Sequence, residues 1–213
     1  MIRDEEKNAG GTGTGGGSAP ASTALPGGAE KRRRISGLVL AALFGALIAA
    51  GTFISIPLPF SPVPVVLQNL FSLLAGLVLG PALGAAAVGL YLLAGIIGAP
   101  VFAGASGGIA RALGPTGGFL LGYLFSAFTA GLIAGRPRRG TQVPLRRIIL
   151  AVLAGLLVIY LPGLLRLRFA VGSWGKALIA GFLPFIPGDA IKGAAAVLIA
   201  PRLRRPLGDH FGG

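Results

Sequence analysis

Between Arg34 and Gly208 the chain holds one acidic residue, Asp189, and three positions further on stands Lys192. Both lie within PFIPGDAIKGAAAVLIA, residues 184–200, which otherwise reads as the inner part of a membrane-spanning helix. An ionised side chain in hydrocarbon costs at least about 3 kcal/mol, so such residues face the interior of a bundle and mark ligand or ion paths. A spacing of three puts both side chains on one helix face, where they can pair with each other or share a ligand. An internal ion pair that only fixes helix packing is the competing reading. Pro184 and Pro187 favour the ligand: they interrupt the helix just before Asp189 and free carbonyls that a ligand or a neighbouring helix can use.

Other side chains widen the candidate set. Gln68 and Asn69 follow PVPVVLQN, and an amide, with donor and acceptor together, reads a polar ligand edge without a desolvated charge. Amides also hold membrane helices to one another; both readings stand for Gln68, and helix packing is the stronger one for Asn69. Tyr91, Phe102, Phe119, Tyr123, Tyr160 and Trp174 fall near presumed outer halves or loops, where aromatics commonly anchor at the interface; Phe102, inside a loop, is the better candidate for a ligand wall. Ala42, Ala46 and Ala50 recur every four residues, with Ala41, Gly45 and Ala49 one step round the helix. Small residues at this spacing admit another helix closely, either within the chain or from a separate membrane partner.

Several chemistries lack their parts. There is no cysteine, which removes disulfides, thiolate metal sites and cysteine catalysis, and the single histidine, His210, lies in a polar tail where it is expected to be solvated. No metal site and no cofactor are expected. A phosphate loop is absent too: GSWGKA at 172–177 has neither the spacing nor the Ser or Thr that holds magnesium, so uphill work would need an ion gradient or another subunit. A membrane enzyme using Asp189 would lack a second acid, a histidine or a metal.

The elements that must position these residues are membrane spans. Hydrophobic residues make up 54% of the chain and charged ones 12%, and mean hydropathy is +0.81. The sequence predicts an all-α integral membrane bundle of six transmembrane helices, at about 36–56, 65–80, 81–98, 116–135, 148–166 and 176–200, with only the turn at Gly80-Pro81 between the second and third. The second and third are short for a full crossing. Residues 1–35 read as a cytoplasmic tail, of which 1–30, rich in Gly, Ser and Pro, is expected to be disordered; 36–200 form the membrane domain and 201–213 a second cytoplasmic tail.

The net charge of +13 invites a nucleic-acid reading, but position argues against it. Lys31 to Arg34, then Arg136, Arg138, Arg139, Arg146 and Arg147, then Arg202, Arg204 and Arg205 flank apolar segments, as the positive-inside rule and anionic headgroups require. Those twelve fall on one side of a six-span topology, and only Arg111, Arg166, Arg168 and Lys176 on the other, so both termini are expected in the cytoplasm. The connections at 57–64, proline-rich and stiff, and 99–115, glycine-rich and able to fold as a lid, then face outward and enclose a pocket with Asp189 and Lys192 on its floor.

Four motifs occur in order: IPLPFSPVPVVLQNL (56–70), GLVLGPALGAAAVGLYLLAGIIGAPVFAG (76–104), GPTGGFLLGY (114–123) and LPFIPGDAIKGAAAV (183–197). Together they resemble the BioY family, the biotin-specific S components of energy-coupling factor (ECF) transporters, and the likeness covers residues 36 to 200. The resemblance implies an S-component-like six-helix protein of a prokaryotic cell membrane that captures biotin from outside. Its implied partners are a transmembrane T component and two cytoplasmic ATPases; the chain itself is not expected to be an enzyme. On the matching motifs it implies a binding site at Asp189 and Lys192, joined by Gln68, Tyr91, Phe102, Gly104 and Gly118, and docking to the T component at Ala42 and Ala46. Ala103 and Gly104 stand where some members carry a polar residue, and Phe119 replaces a tyrosine of the GPTGGY pattern.

Biotin suits such residues. Its cyclic urea has two N–H donors at one end and a carboxylate stands at the other, so Asp189 can accept from the urea and Lys192 can pair with either end. The rival from another class is a proton-coupled secondary transporter of a small vitamin or other organic solute, with Asp189 as relay; inverted repeats would support it and none is evident.

Overall fold

The computed structural model describes residues 26–138 and 140–211; the side chains of 26, 27, 29 and 209–211 are outside the description. Most of the tail expected to be disordered, and Arg139 of the basic loop, therefore lie outside the described residues, as does the side chain of His210. The chain is mostly helical, in the order α1 (Pro26–Phe53), β1 (Ser55–Leu58), β2 (Ser61–Val66), α2 (Gln68–Leu79), α3 (Pro81–Ile97), α4 (Ile109–Ala112), α5 (Gly117–Ala134), α6 (Leu145–Val171), α7 (Trp174–Gly181), a 3-10 turn (Leu183–Phe185) and α8 (Ile186–Phe211).

Among the described residues, four helical stretches are long and apolar enough to cross a membrane: Glu30–Phe53, Gly117–Ala134, Leu145–Val171 and Trp174–Gly208. Helices α2 and α3, with 12 and 17 residues, are apolar but shorter. At 1.5 Å per residue, α2 rises only about 18 Å against a hydrocarbon core of about 30 Å. Beside the four long stretches and the two short helices expected at 65–80 and 81–98, three features appear. The 57–64 connection belongs to an antiparallel hairpin, with Ser55 opposite Val66 and Leu58 opposite Ser61. Its four prolines are tolerated because a two-stranded ribbon has only edges, where a missing N–H leaves no ladder bond broken. A short helix, α4, interrupts the glycine-rich connection. The last span is broken at Phe182, so that α7 and α8 are separate elements, and α8 runs on through residues expected to be tail.

Polar and apolar residues are distributed as lipid demands. Leu38, Leu43, Leu90, Leu132, Leu157, Leu161 and Leu198 are exposed, whereas Gln68, Asn69, Ser72, Ser126, Asp189, Lys192 and Arg204 are buried. Helix α2 is the hub, packed on α1, α3, α5 and α8. It approaches α5 without an intervening side chain: a Cβ on Gly76 would stand 2.1 Å from the carbonyl oxygen of Ala127. At its end, Gly80 takes a φ of +84° and Pro81 opens α3 at the first helical turn, where a missing N–H costs nothing.

Candidate functional site

The break at 182–185 decides where Asp189 sits. Pro184 lies in the 3-10 turn and Pro187 in the opening turn of α8, positions that tolerate proline, and Asp189 falls in that first turn. The N-terminal end of the helix dipole favours its negative charge there. Its neighbours complete the neutralisation. Lys192 Nζ donates to Oδ1 at 3.0 Å, Asn69 Nδ2 donates to the same oxygen at 2.8 Å, and the Tyr160 hydroxyl donates to Oδ2. Asp189 and Lys192 are 8% and 7% exposed, so this is a buried ion pair with its charge-assisted bonds made.

The pair faces a cavity with two lobes. One, a narrow space of about 20 Å³, is lined by Asn69, Tyr160, Phe185, Asp189 and Lys192. The other, of about 30 Å³, is lined by Gln68, Phe102, Ala103, Arg111, Thr116 and Leu120. Val63, Pro64 and Val66 of the hairpin, with Phe119 and Tyr123 of α5, line both and form an apolar waist. The cover over this space is anchored at several points. Ser61 of the hairpin bonds to the carbonyl of Ala180, Thr52 donates to Val101 at 2.7 Å, and Arg166 donates to the carbonyls of Leu113 and Gly114.

Both lobes keep unspent donors, and the first adds a carboxylate acceptor. A carboxylate has about four acceptor sites. Three on Asp189 are taken, which leaves one for a donor on a ligand, while Lys192 keeps two N–H bonds beyond the one given to Asp189. In the other lobe Gln68 is 2% exposed and its Nε2 has no partner, and Arg111 makes only a 3.4 Å contact to the carbonyl of Ala103. That lobe offers unspent donors, and unpaired buried donors cost about 1–3 kcal/mol each until something accepts from them. The cavity is therefore shaped for a ligand with a donor-bearing polar head, an apolar body and an acceptor or anionic tail.

Of the residues expected at the site, Asp189, Lys192, Gln68 and Phe102 line the cavity. Tyr91 does not line it; its buried ring packs edge-on against Phe102 with centroids 5.6 Å apart. Gly104 is exposed in the covering loop with a φ of +76°, beside the lining residue Ala103. Gly118 serves helix packing, since a Cβ there would meet the Pro162 carbonyl at 2.1 Å. Asn69, Tyr160, Arg111 and Thr116 join the cavity although the sequence did not single them out for it. Ala42, Ala46 and Ala50 are exposed and line a groove between α1 and α3, whereas Gly45 packs inward, its would-be Cβ 3.1 Å from the Ala87 carbonyl.

Fold and cavity define a polytopic class of membrane protein: a helical bundle, capped at one end by a hairpin and a loop over a small cavity with polar ends and an apolar waist. The chain belongs to the BioY family, whose model matches residues 24–209. It is 48% identical to a probable biotin transporter BioY of Pyrococcus horikoshii over 165 residues, 78% of this chain and 94% of that protein. It is 42% identical to the biotin transporter BioY of Thermotoga maritima over 168 residues, 79% and 95% of the two chains. Among solved structures it resembles the crystal structure of the S-component for biotin from an ECF-type ABC transporter, with a TM-score of 0.72, 34% identity, and coverage of 81% of this chain and 93% of that one.

Proposed function

We propose that the protein is the substrate-capture subunit for biotin of an ECF-type transporter. It is a transport protein, as its family indicates, and any ATP hydrolysis belongs to partner subunits. The observation that supports the site assignment is the residual capacity of the buried Asp189–Lys192 pair, one carboxylate lone pair and two N–H bonds facing the cavity. In this reading a urea N–H donates to the remaining lone pair of Asp189, the urea oxygen accepts from Lys192 or Asn69, and the bicyclic rings occupy the waist between Val63, Phe119 and Tyr123. The valerate tail reaches the far lobe, where Arg111, Gln68 and Thr116 receive its carboxylate. Lys192 then serves the urea end, as its bond to Asp189 favours.

Both termini lie in the cytoplasm in this reading, with six helical crossings in which α2 and α3 are short, tilted members, and the cavity opens outward. The exposed stripe at Ala42 and Ala46 is the docking face for a T component, which joins two ATPases; the groove beside it suits another helix.

Calorimetry on the purified protein in detergent tests the site. Biotin is expected to bind one-to-one, and Asp189→Asn to weaken it by about a hundredfold with the fold retained. Biotin methyl ester separates the two ends: the wild type should prefer the free acid, and Arg111→Gln should lose that preference while binding the ester as before. An unchanged affinity in Asp189→Asn would remove the acid from the site.

A further inference from the structure

At the opposite end of the bundle, the loop after α5 and the last turns of α8 enclose a second recess, of about 290 Å³, lined by Arg138, Thr141, Gln142, Ile148, Arg204 and Arg205 among others. The positive-inside rule accounts for basic residues near this end, but not for three arginines converging on one concavity. Among the described residues, no acidic side chain lines it. The guanidinium of Arg204 is spent on the carbonyls of Leu77, Ala134 and Gly135, the last two at 3.2 and 3.0 Å. Arg147 lies near enough to repel it. Among the described residues, the side chains of Arg138 and Arg205 have no hydrogen-bonding or ionic partner, and both are exposed. The cluster thus presents an excess of positive charge and unspent planar N–H donors, an arrangement suited to a phosphate group.

The surroundings choose the kind of phosphate. Val143, Ile148 and Pro201 give the recess an apolar wall, and beside it the first turns of α6 expose Leu145 and Ile149 and α8 exposes Leu203. Leu145 opens the apolar run of α6, and Arg204 and Arg205 fall in the last turns of α8; basic pockets between helices at the ends of membrane spans hold anionic lipid heads. We propose that this recess is a specific site for the headgroup of an anionic phospholipid, with Arg138 and Arg205 on the phosphate and the acyl chains lying along Leu145, Ile149 and Leu203. The site is independent of the biotin cavity.

Native mass spectrometry of the purified full chain in detergent, titrated with phosphatidylglycerol or phosphatidylcholine of equal chain length, tests this. One phosphatidylglycerol is expected to be retained where phosphatidylcholine is not. The double variant Arg138→Gln, Arg205→Gln should weaken retention about fivefold for each arginine removed, while Lys31→Gln, Arg32→Gln, which removes equal charge from the exposed start of α1, leaves it unchanged. Both positions of the first variant are exposed and unpartnered, and an unchanged thermal melt verifies its fold. Equal weakening in the two variants would reduce the effect to diffuse surface charge and overturn the proposal. Inorganic phosphate displacing the lipid at comparable concentration would overturn it in favour of a soluble anion, and indifference to lipid charge would return the recess to an acidic protein partner.

Discussion

Each end of the bundle buries a cation, and the two are satisfied in different ways. Lys192 is paired with Asp189, which an amide of α2 and a phenol of α6 also hold, and it keeps N–H bonds toward an open cavity. Arg204 is held by backbone alone: it donates to the last carbonyls of α2 and to the end of α5, groups that a helix terminus leaves unpaired. A cation at two helix C-termini meets the negative ends of their dipoles and needs no counter-ion. Burial of charge is common to both, so it cannot by itself mark a binding site. Residual hydrogen-bonding capacity facing empty space distinguishes the first from the second.

That contrast can be broken by substitution. Arg204→Met strips donors from three carbonyls and should cost about 3 kcal/mol of stability, read as a lower melting temperature in detergent, with biotin affinity in the surviving folded protein unchanged. A matching loss of affinity would mean that the two ends are coupled. Lys192→Met should do the reverse, weakening biotin by about tenfold to a hundredfold in calorimetry with a smaller effect on melting. Tyr160→Phe sharpens the comparison with the smallest change. The acid keeps its ion pair and gains a free lone pair, so affinity should fall by less than about tenfold; a stability loss as large as that of Arg204→Met would show the Asp189 cluster to be structural cement as well.

What could be read in advance follows the same division. Asp189 and Lys192 stood out because charge is rare in an apolar chain and three-residue spacing is local information. Asn69 and Tyr160 reach Asp189 from 120 and 29 positions away, and nothing in VVLQN or VIYLP encodes that meeting. Arg111 read only as a loop charge, since its approach to the cavity depends on how α4 folds the 99–115 connection inward. Apolar runs located the long helices, but hydropathy averages over a break as short as 182–185 and is silent about strands. The hairpin escaped notice because prolines in SIPLPFSPVPVV argue against a sheet interior, and a two-stranded ribbon has none. Small residues in α1 announced close packing without saying on which face; only the fold separates inward Gly45 from outward Ala42 and Ala46.

The Gly76 contact carries a mechanical consequence. With backbone seated directly on backbone, α2 and α5 are keyed together beneath the waist and cannot slide or part without repacking the centre of the molecule. The cap above them is fastened by latches instead: Ser61 to Ala180, Thr52 to Val101, Arg166 to Leu113 and Gly114. Each such latch is worth on the order of 1 kcal/mol, within reach of thermal motion. Of the two, the cap is the part whose opening costs less.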